Sequence, residues 1–181
     1  MQPILIDTGL PEFFNNVVID VLLKKSNWQV STDHLTHDIN ELGEYSDSGM
    51  LLRTYDRDRT EITNSTPDLR AYADLITKAV LEKQKALTYS KYTVCRYLWN
   101  YYNKGSSGVY HRDFESDTSK HNLISIVYYL NHCDGGTEIE GEKYYAQPSH
   151  ALIFDSRQLH RGFGPYDFKK KMCLNIVLEL Q

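Results

Sequence analysis

From Thr88 to its last residue the chain is a succession of short β-branched and aromatic runs separated by Gly, Asn, Asp and Ser, a texture that restricts the second half to a sheet built strand after strand. Strands are expected near 92–102, 109–113, 123–130, 138–146, 151–155 and 171–180, with hairpin-like connections. The first half reads differently. Leu10, Phe13, Phe14, Val17, Val18, Val21 and Leu22 recur at helical spacing, predicting an amphipathic helix with Pro11 in its first turn. A second helix is expected to open at Thr66-Pro67-Asp68 and to carry Leu69, Tyr72, Leu75, Ile76, Ala79 and Val80 inward until about Ala86. Between them, 31–65 is polar and poorly patterned, and Asp56-Arg57-Asp58-Arg59 within it reads first as a solvated face and second as part of a substrate surface. Helices followed by a meandering sheet predict an α+β chain whose sheets fold into a sandwich or jelly roll.

At 181 residues the chain is expected to be one domain, with 1–90 as helical support and polar loop and 91–181 as the β core. Its net charge of −4, without a long run of Lys or Arg, disfavours nucleic acid as a partner. The opening Met1-Gln2-Pro3-Ile4-Leu5-Ile6-Asp7 has neither a basic leader nor a long apolar stretch, so no membrane span and a cytoplasmic location are expected. Cys95, Cys133 and Cys173 lack metal or disulfide spacing and read as buried free thiols. Asn64-Ser65-Thr66 reads as part of a polar turn, and Gly105-Ser106-Ser107-Gly108 as a flexible one. The unusual counts are seven histidines and fourteen tyrosines.

His111-Arg112-Asp113 is the most informative triplet, because in an extended segment residues i and i+2 point to one side. One imidazole and one carboxylate can then face one metal. His160, just after the apolar run Ala151-Leu152-Ile153-Phe154-Asp155, qualifies as the third ligand. Two His and one Asp form the facial set typical of non-haem iron(II), which leaves open positions for substrates and oxygen. His34, His37, His121, His132 and His150 read as ordinary surface or turn histidines.

Around these ligands stand, in order, Tyr102-Asn103-Lys104-Gly105, Ile126-Val127-Tyr128-Tyr129-Leu130-Asn131, Gly135-Gly136-Thr137 and a lysine-bearing last strand. Over residues 92–180 this ordered set resembles the 2-oxoglutarate and Fe(II)-dependent dioxygenase superfamily, and within it the prolyl 4-hydroxylase-like branch. The resemblance implies a double-stranded β-helix, a cupin-like jelly roll, with N-terminal supporting helices. It implies Fe(II) on His111, Asp113 and His160, 2-oxoglutarate and O2 as cosubstrates, and ascorbate as a candidate reductant. It also implies a basic residue that meets the distal carboxylate of 2-oxoglutarate, since a buried carboxylate without a partner is expensive.

Lys169, Lys170 and Lys171 are the candidates for that residue. Met172, Leu174, Ile176 and Leu178 form one apolar face of the last strand and Lys171, Cys173 and Asn175 the other, which favours Lys171; Lys169 shares its parity and comes second. Lys171 stands eleven residues after His160, slightly more than the family's usual spacing. By the same resemblance Tyr102 and Tyr129 would share the distal carboxylate, with Tyr101 and Tyr128 the alternatives if the register slips by one. His150 stands where the family often has glycine.

The activity implied is hydroxylation of a C–H bond, foremost in a prolyl residue of a peptide or protein. Three alternatives stand beside it: a hydroxylase of a free amino acid or small metabolite, a cupin-like zinc or manganese enzyme that does not use 2-oxoglutarate, and a binding module without catalysis.

Overall fold

The computed structural model of the chain describes residues 1–25, 28–30, 50–57, 67–84, 91–114 and 122–181. In chain order the elements are β1 (Ile4–Asp7), α1 (Glu12–Lys25), β2 (Gln29–Val30), β3 (Met50–Asp56), α2 (Pro67–Lys83), β4 (Tyr92–Asn103), β5 (Asn122–Tyr129), β6 (Gly136–Ile139), β7 (Glu142–Tyr145), β8 (His150–Asp155), β9 (His160–Phe163) and β10 (Lys170–Leu180). A seven-stranded sheet runs β1-β8-β5-β10-β4-β3-β2 and a three-stranded sheet runs β7-β6-β9, with every described pairing antiparallel. This is the double-stranded β-helix expected from the sequence.

Alternation along the strands creates two interiors. Met172, Leu174, Ile176 and Leu178 of β10 join Ile124, Ile126 and Tyr128 of β5 and Tyr97 and Trp99 of β4 on the face covered by α1 and α2. The opposite face of the large sheet looks toward the small one, and there Val127, Tyr129, Leu152, Phe154 and Cys173 pack against Ile139 and Ala146. Asn15 of α1 enters the first interior, where it accepts from the Tyr128 hydroxyl at 2.6 Å and donates to Ser149 Oγ at 2.9 Å. Pairing these groups satisfies polar atoms that would otherwise destabilise the core.

Several sequence expectations are corrected. Phe13 and Leu75, expected inward, are exposed, because each helix buries only a narrow stripe: Phe14, Val18 and Leu22 on α1, and Leu69, Ala73, Ile76 and Val80 on α2. Pro11 precedes α1 and its carbonyl accepts from the Phe14 amide. β1 and β3 are strands where helices and polar loop alone were expected, and both add to the large sheet. Asp56 ends β3 and pairs with Arg53 at 3.3 Å, while Arg57 pairs with Glu179 at 2.6 Å, so this half of the Asp-Arg run is tied to the sheet. Asp58, Arg59, His34, His37, His121, Asn64, Ser65, Thr66 and Ala86 lie outside the described residues.

The expected strand at 138–146 is a hairpin. Glu140 (φ 51°) and Gly141 (φ 91°) form its two-residue turn, a geometry that requires positive φ at both positions. No continuous strand covers 109–113; instead Ser107 and His111 make isolated bridges to Phe163 and His160. The turn at 105–108 is packed rather than loose, with Ser106 buried and its Oγ bonded to the Asn103 carbonyl at 2.8 Å. Before β8 the left-handed residue is Ser149 (φ 63°), one position ahead of His150. No helix among the described residues is long and apolar enough to cross a membrane.

Candidate metal centre

The segment after β4 runs beside β9 and brings two ligands to a third. Gly108 N donates to the Gly162 carbonyl at 2.7 Å, and His111 and His160 exchange backbone hydrogen bonds of 2.9 and 3.0 Å. His111, Asp113 and His160 each offer a ligand atom, and these atoms lie within 4.8 Å of one another. His111 Nε2 is 3.8 Å from Asp113 Oδ1, and His160 Nε2 is 3.5 Å from Asp113 Oδ2. On the far side of each ring a backbone carbonyl, that of Val109 or Gln158, lies 2.9 Å from Nδ1. A proton on Nδ1 satisfies that carbonyl and leaves the Nε2 lone pair facing the centre.

The electrostatics suit a cation. Burial opposes ionisation of Asp113, but the Arg96 guanidinium, the two imidazoles and the Ser125 hydroxyl outweigh it and hold the carboxyl well below the usual carboxylate range. Burial pushes His160 down to about 4 against the pull of Asp113, so its ring is neutral, as a metal ligand must be. His160 Nε2 is itself buried without a hydrogen-bond partner. An orphaned imidazole nitrogen facing a carboxylate and a second imidazole is what a divalent ion would satisfy, so the donor set fits Fe(II).

Deeper between the sheets, Lys171 is fully buried. Its Nζ donates to the carbonyls of Gly136 at 2.6 Å and Phe163 at 2.7 Å and stands 3.8 Å from the centre of the Tyr102 ring. No carboxylate among the described residues pairs with it, and burial pushes its ammonium down to about 8. Tyr129 lies on the same interior face, donating to Thr137 Oγ1 at 2.9 Å. Burial raises the Tyr102 and Tyr129 hydroxyls, keeping both as protonated donors. Tyr101 and Tyr128 face the helical interior instead. A Cβ on Gly162 would come within 2.3 Å of Tyr102 Oη and 3.3 Å of Lys171 Nζ, so only glycine leaves this corner open. Lys169 and Lys170 lie at the sheet end, outside this interior.

Sequence reasoning missed Arg96, whose Nη2 donates both to Asp113 Oδ1 and to Asn175 Oδ1. It also missed Ser125, whose hydroxyl donates to Asp113 Oδ2 at 2.5 Å. Parity offered a signal, since Arg96, Leu98 and Asn100 share the parity of Tyr102 along β4 and alternate with Tyr97, Trp99 and Tyr101. A third omission is Glu138, which accepts from Tyr110 Oη at 2.7 Å and from Arg161 Nη2 at 3.1 Å. These neighbours of His111 and His160 point out of the small sheet while the histidines point in.

With this geometry in hand, the fold is that of the 2-oxoglutarate and Fe(II) oxygenases. The chain is similar to the viral collagen prolyl hydroxylase of Paramecium Bursaria Chlorella virus-1, solved with 2-oxoglutarate, at 16% identity and a TM-score of 0.61 over 100% of this chain and 97% of that one. It is similar to a prolyl-4-hydroxylase of Pseudomonas putida at 15% identity and TM-score 0.57, covering 99% and 92% of the two chains. It is also similar to HygX of Streptomyces hygroscopicus, solved with nickel and 2-oxoglutarate, at 8% identity and TM-score 0.67, covering 99% and 83%. Backbone likeness alone therefore does not separate prolyl hydroxylases from other members of the fold. No protein-family model and no curated protein sequence matches the chain.

Proposed function

We propose that the protein is an Fe(II)- and 2-oxoglutarate-dependent dioxygenase that hydroxylates a C–H bond. The observation that carries this reading is the pairing of two features in one interior: a His-Asp-His set with an orphaned ring nitrogen, and a buried lysine with no carboxylate partner among the described residues. A bound metal explains the first and a buried anion the second.

His111, Asp113 and His160 hold the metal, and Arg96 and Ser125 fix the rotation of the Asp113 carboxylate by bonding one oxygen each. Lys171 binds the distal carboxylate of 2-oxoglutarate, with Tyr102 and Tyr129 donating from the same face. Iron held there, with 2-oxoglutarate and O2, supplies the oxidation of C–H to C–OH, while the cosubstrate leaves as succinate and carbon dioxide. Phe154 packs edge-on against the His160 ring and, with Leu152 and Cys173, closes the inner side of the centre.

The resemblance to prolyl 4-hydroxylases points to a prolyl residue in a peptide or protein as prime substrate. A free amino acid or small metabolite is the second reading, favoured by the cationic cleft described below. Incubation with Fe(II), ascorbate, 2-oxoglutarate and a peptide or metabolite library tests both. Oxygen-dependent succinate release with a +16 Da product is expected; a metal-dependent product without succinate would replace this reading by that of a cupin-like hydrolase or isomerase.

A further inference from the structure

A cleft of about 170 Å³ opens beside Asp113, away from the Lys171 corner, walled by Arg96 and by the apolar side chains of Cys95, Phe114, Leu123 and Val177. A β-bulge produces this wall. Val177 and Leu178 of β10 pair with Arg96 and Val94, so Cys95 is the unpaired extra residue and packs with Leu123 and Val177 on the side of the sheet that Arg96 faces.

The charges of the cleft are matched except in one respect. Asp56 is paired with Arg53, and Arg57 with Glu179. Arg96 is paired with Asp113, yet Asp113 is also the carboxylate that the proposed divalent ion would share. Metal binding therefore draws that negative charge toward the ion and leaves the guanidinium on the cleft wall without a full counter-charge. Among the described residues only Nη2 of Arg96 is engaged, and Nε is buried without an acceptor there. A buried donor beside excess positive charge is stabilised by an anion. Lys171 takes the distal carboxylate of 2-oxoglutarate and the metal its other one, so an anion at Arg96 belongs to another molecule.

We infer that the cleft receives the prime substrate and that Arg96 binds a carboxylate on it, the apolar wall contacting the carbon skeleton. The substrate class is thus a carboxylic acid. The cleft accommodates a group about the size of one amino acid, smaller than the usual range for drug-sized ligands. Two sources share this chemistry: the free carboxylate of an amino-acid-like metabolite, and an acidic side chain or C-terminus of a peptide. An uncharged internal prolyl segment lacks the group Arg96 selects. This inference rests on the dioxygenase reading.

The test uses the full chain loaded with redox-silent Zn(II) and 2-oxoglutarate, whose dissociation constants are measured first by calorimetry; failure of either to bind overturns the dioxygenase reading, and this inference with it. Free L-amino acids and their carboxamides, and acidic peptides with free or amidated C-termini, are then titrated while the Arg96 Nε–H signal is followed by NMR. The expected result is that acids shift this signal and bind at least about tenfold more tightly than the matched amides. Arg96→Gln should abolish that difference, and Arg96→Lys should restore part of it. Response to free acids assigns a metabolite, and response to acidic peptides alone assigns a peptide, either result supporting the inference. Equal binding of acids and amides, no response to any acid at millimolar concentration, or an acid preference that survives Arg96→Gln would overturn it. If Arg96→Gln fails to fold, the comparison of acids with amides on the wild type still decides.

Discussion

Lys171→Met should raise the stability of the ligand-free protein while weakening cosubstrate binding, a combination that a merely structural lysine cannot produce. Burial lowers the Lys171 ammonium from 10.5 to about 8, which corresponds to about 3 kcal/mol of destabilisation at neutral pH. Removing the charge relieves this, but strands the Gly136 and Phe163 carbonyls at about 1 kcal/mol each. The net gain is about 1 kcal/mol, or a rise in Tm of about 2–4 °C, read by calorimetry on the empty protein. In the opposite direction, loss of the buried cation proposed to meet the distal carboxylate should raise the Kd of 2-oxoglutarate about hundredfold.

The pH dependence follows from the same group. Its penalty is full below pH 8 and disappears as pH rises from 8 toward 10.5, because in that window the unfolded chain binds a proton that the native one does not. The stability advantage of Lys171→Met should therefore shrink across that window. Wild-type affinity for 2-oxoglutarate should be level below pH 8 and fall about tenfold per pH unit above it, since binding then requires uptake of a proton. A variant with a lower Tm and unchanged 2-oxoglutarate affinity would refute the reasoning, leaving Lys171 as a packing residue.

Two further substitutions probe neighbouring parts of the site. Gly162→Ala places a methyl group 2.3 Å from Tyr102 Oη and should displace that ring, weakening 2-oxoglutarate binding at least about tenfold with metal affinity unchanged; calorimetry with each ligand separates the two effects. Glu138→Ala releases Tyr110 and Arg161, the outward neighbours of the two ligand histidines, and should weaken Zn(II) binding about tenfold in a chelator competition assay without altering the far-UV circular dichroism.

The long strands were the legible part of the sequence. β10 buries both faces, so its alternation separated Met172, Leu174, Ile176 and Leu178 from Lys171, Cys173 and Asn175 without knowledge of its partners. The candidate ligand set that the fold brings together was legible as His-x-Asp plus a later His, although the segment bearing His111 is held by isolated bridges that depend on β9 and have no local signal. β9 was hidden by its glycine, which reads as loop. β3 was hidden by a register shift between Arg53 and Tyr55 that breaks strict alternation. Asn15 was invisible as a core residue because its burial depends on Tyr128 and Ser149, more than a hundred residues away. Arg96 needed the same parity argument that selected Lys171, applied to β4 from Tyr102.

On the proposed reading His111, Asp113 and His160 hold iron(II), and 2-oxoglutarate chelates that iron. Under anaerobic conditions, addition of Fe(II) and then 2-oxoglutarate to the wild-type protein should produce a visible metal-to-ligand charge-transfer absorption, and Asp113→Ala should lack it. A wild-type spectrum that does not change on addition of 2-oxoglutarate would show that the cosubstrate does not bind the metal at this site.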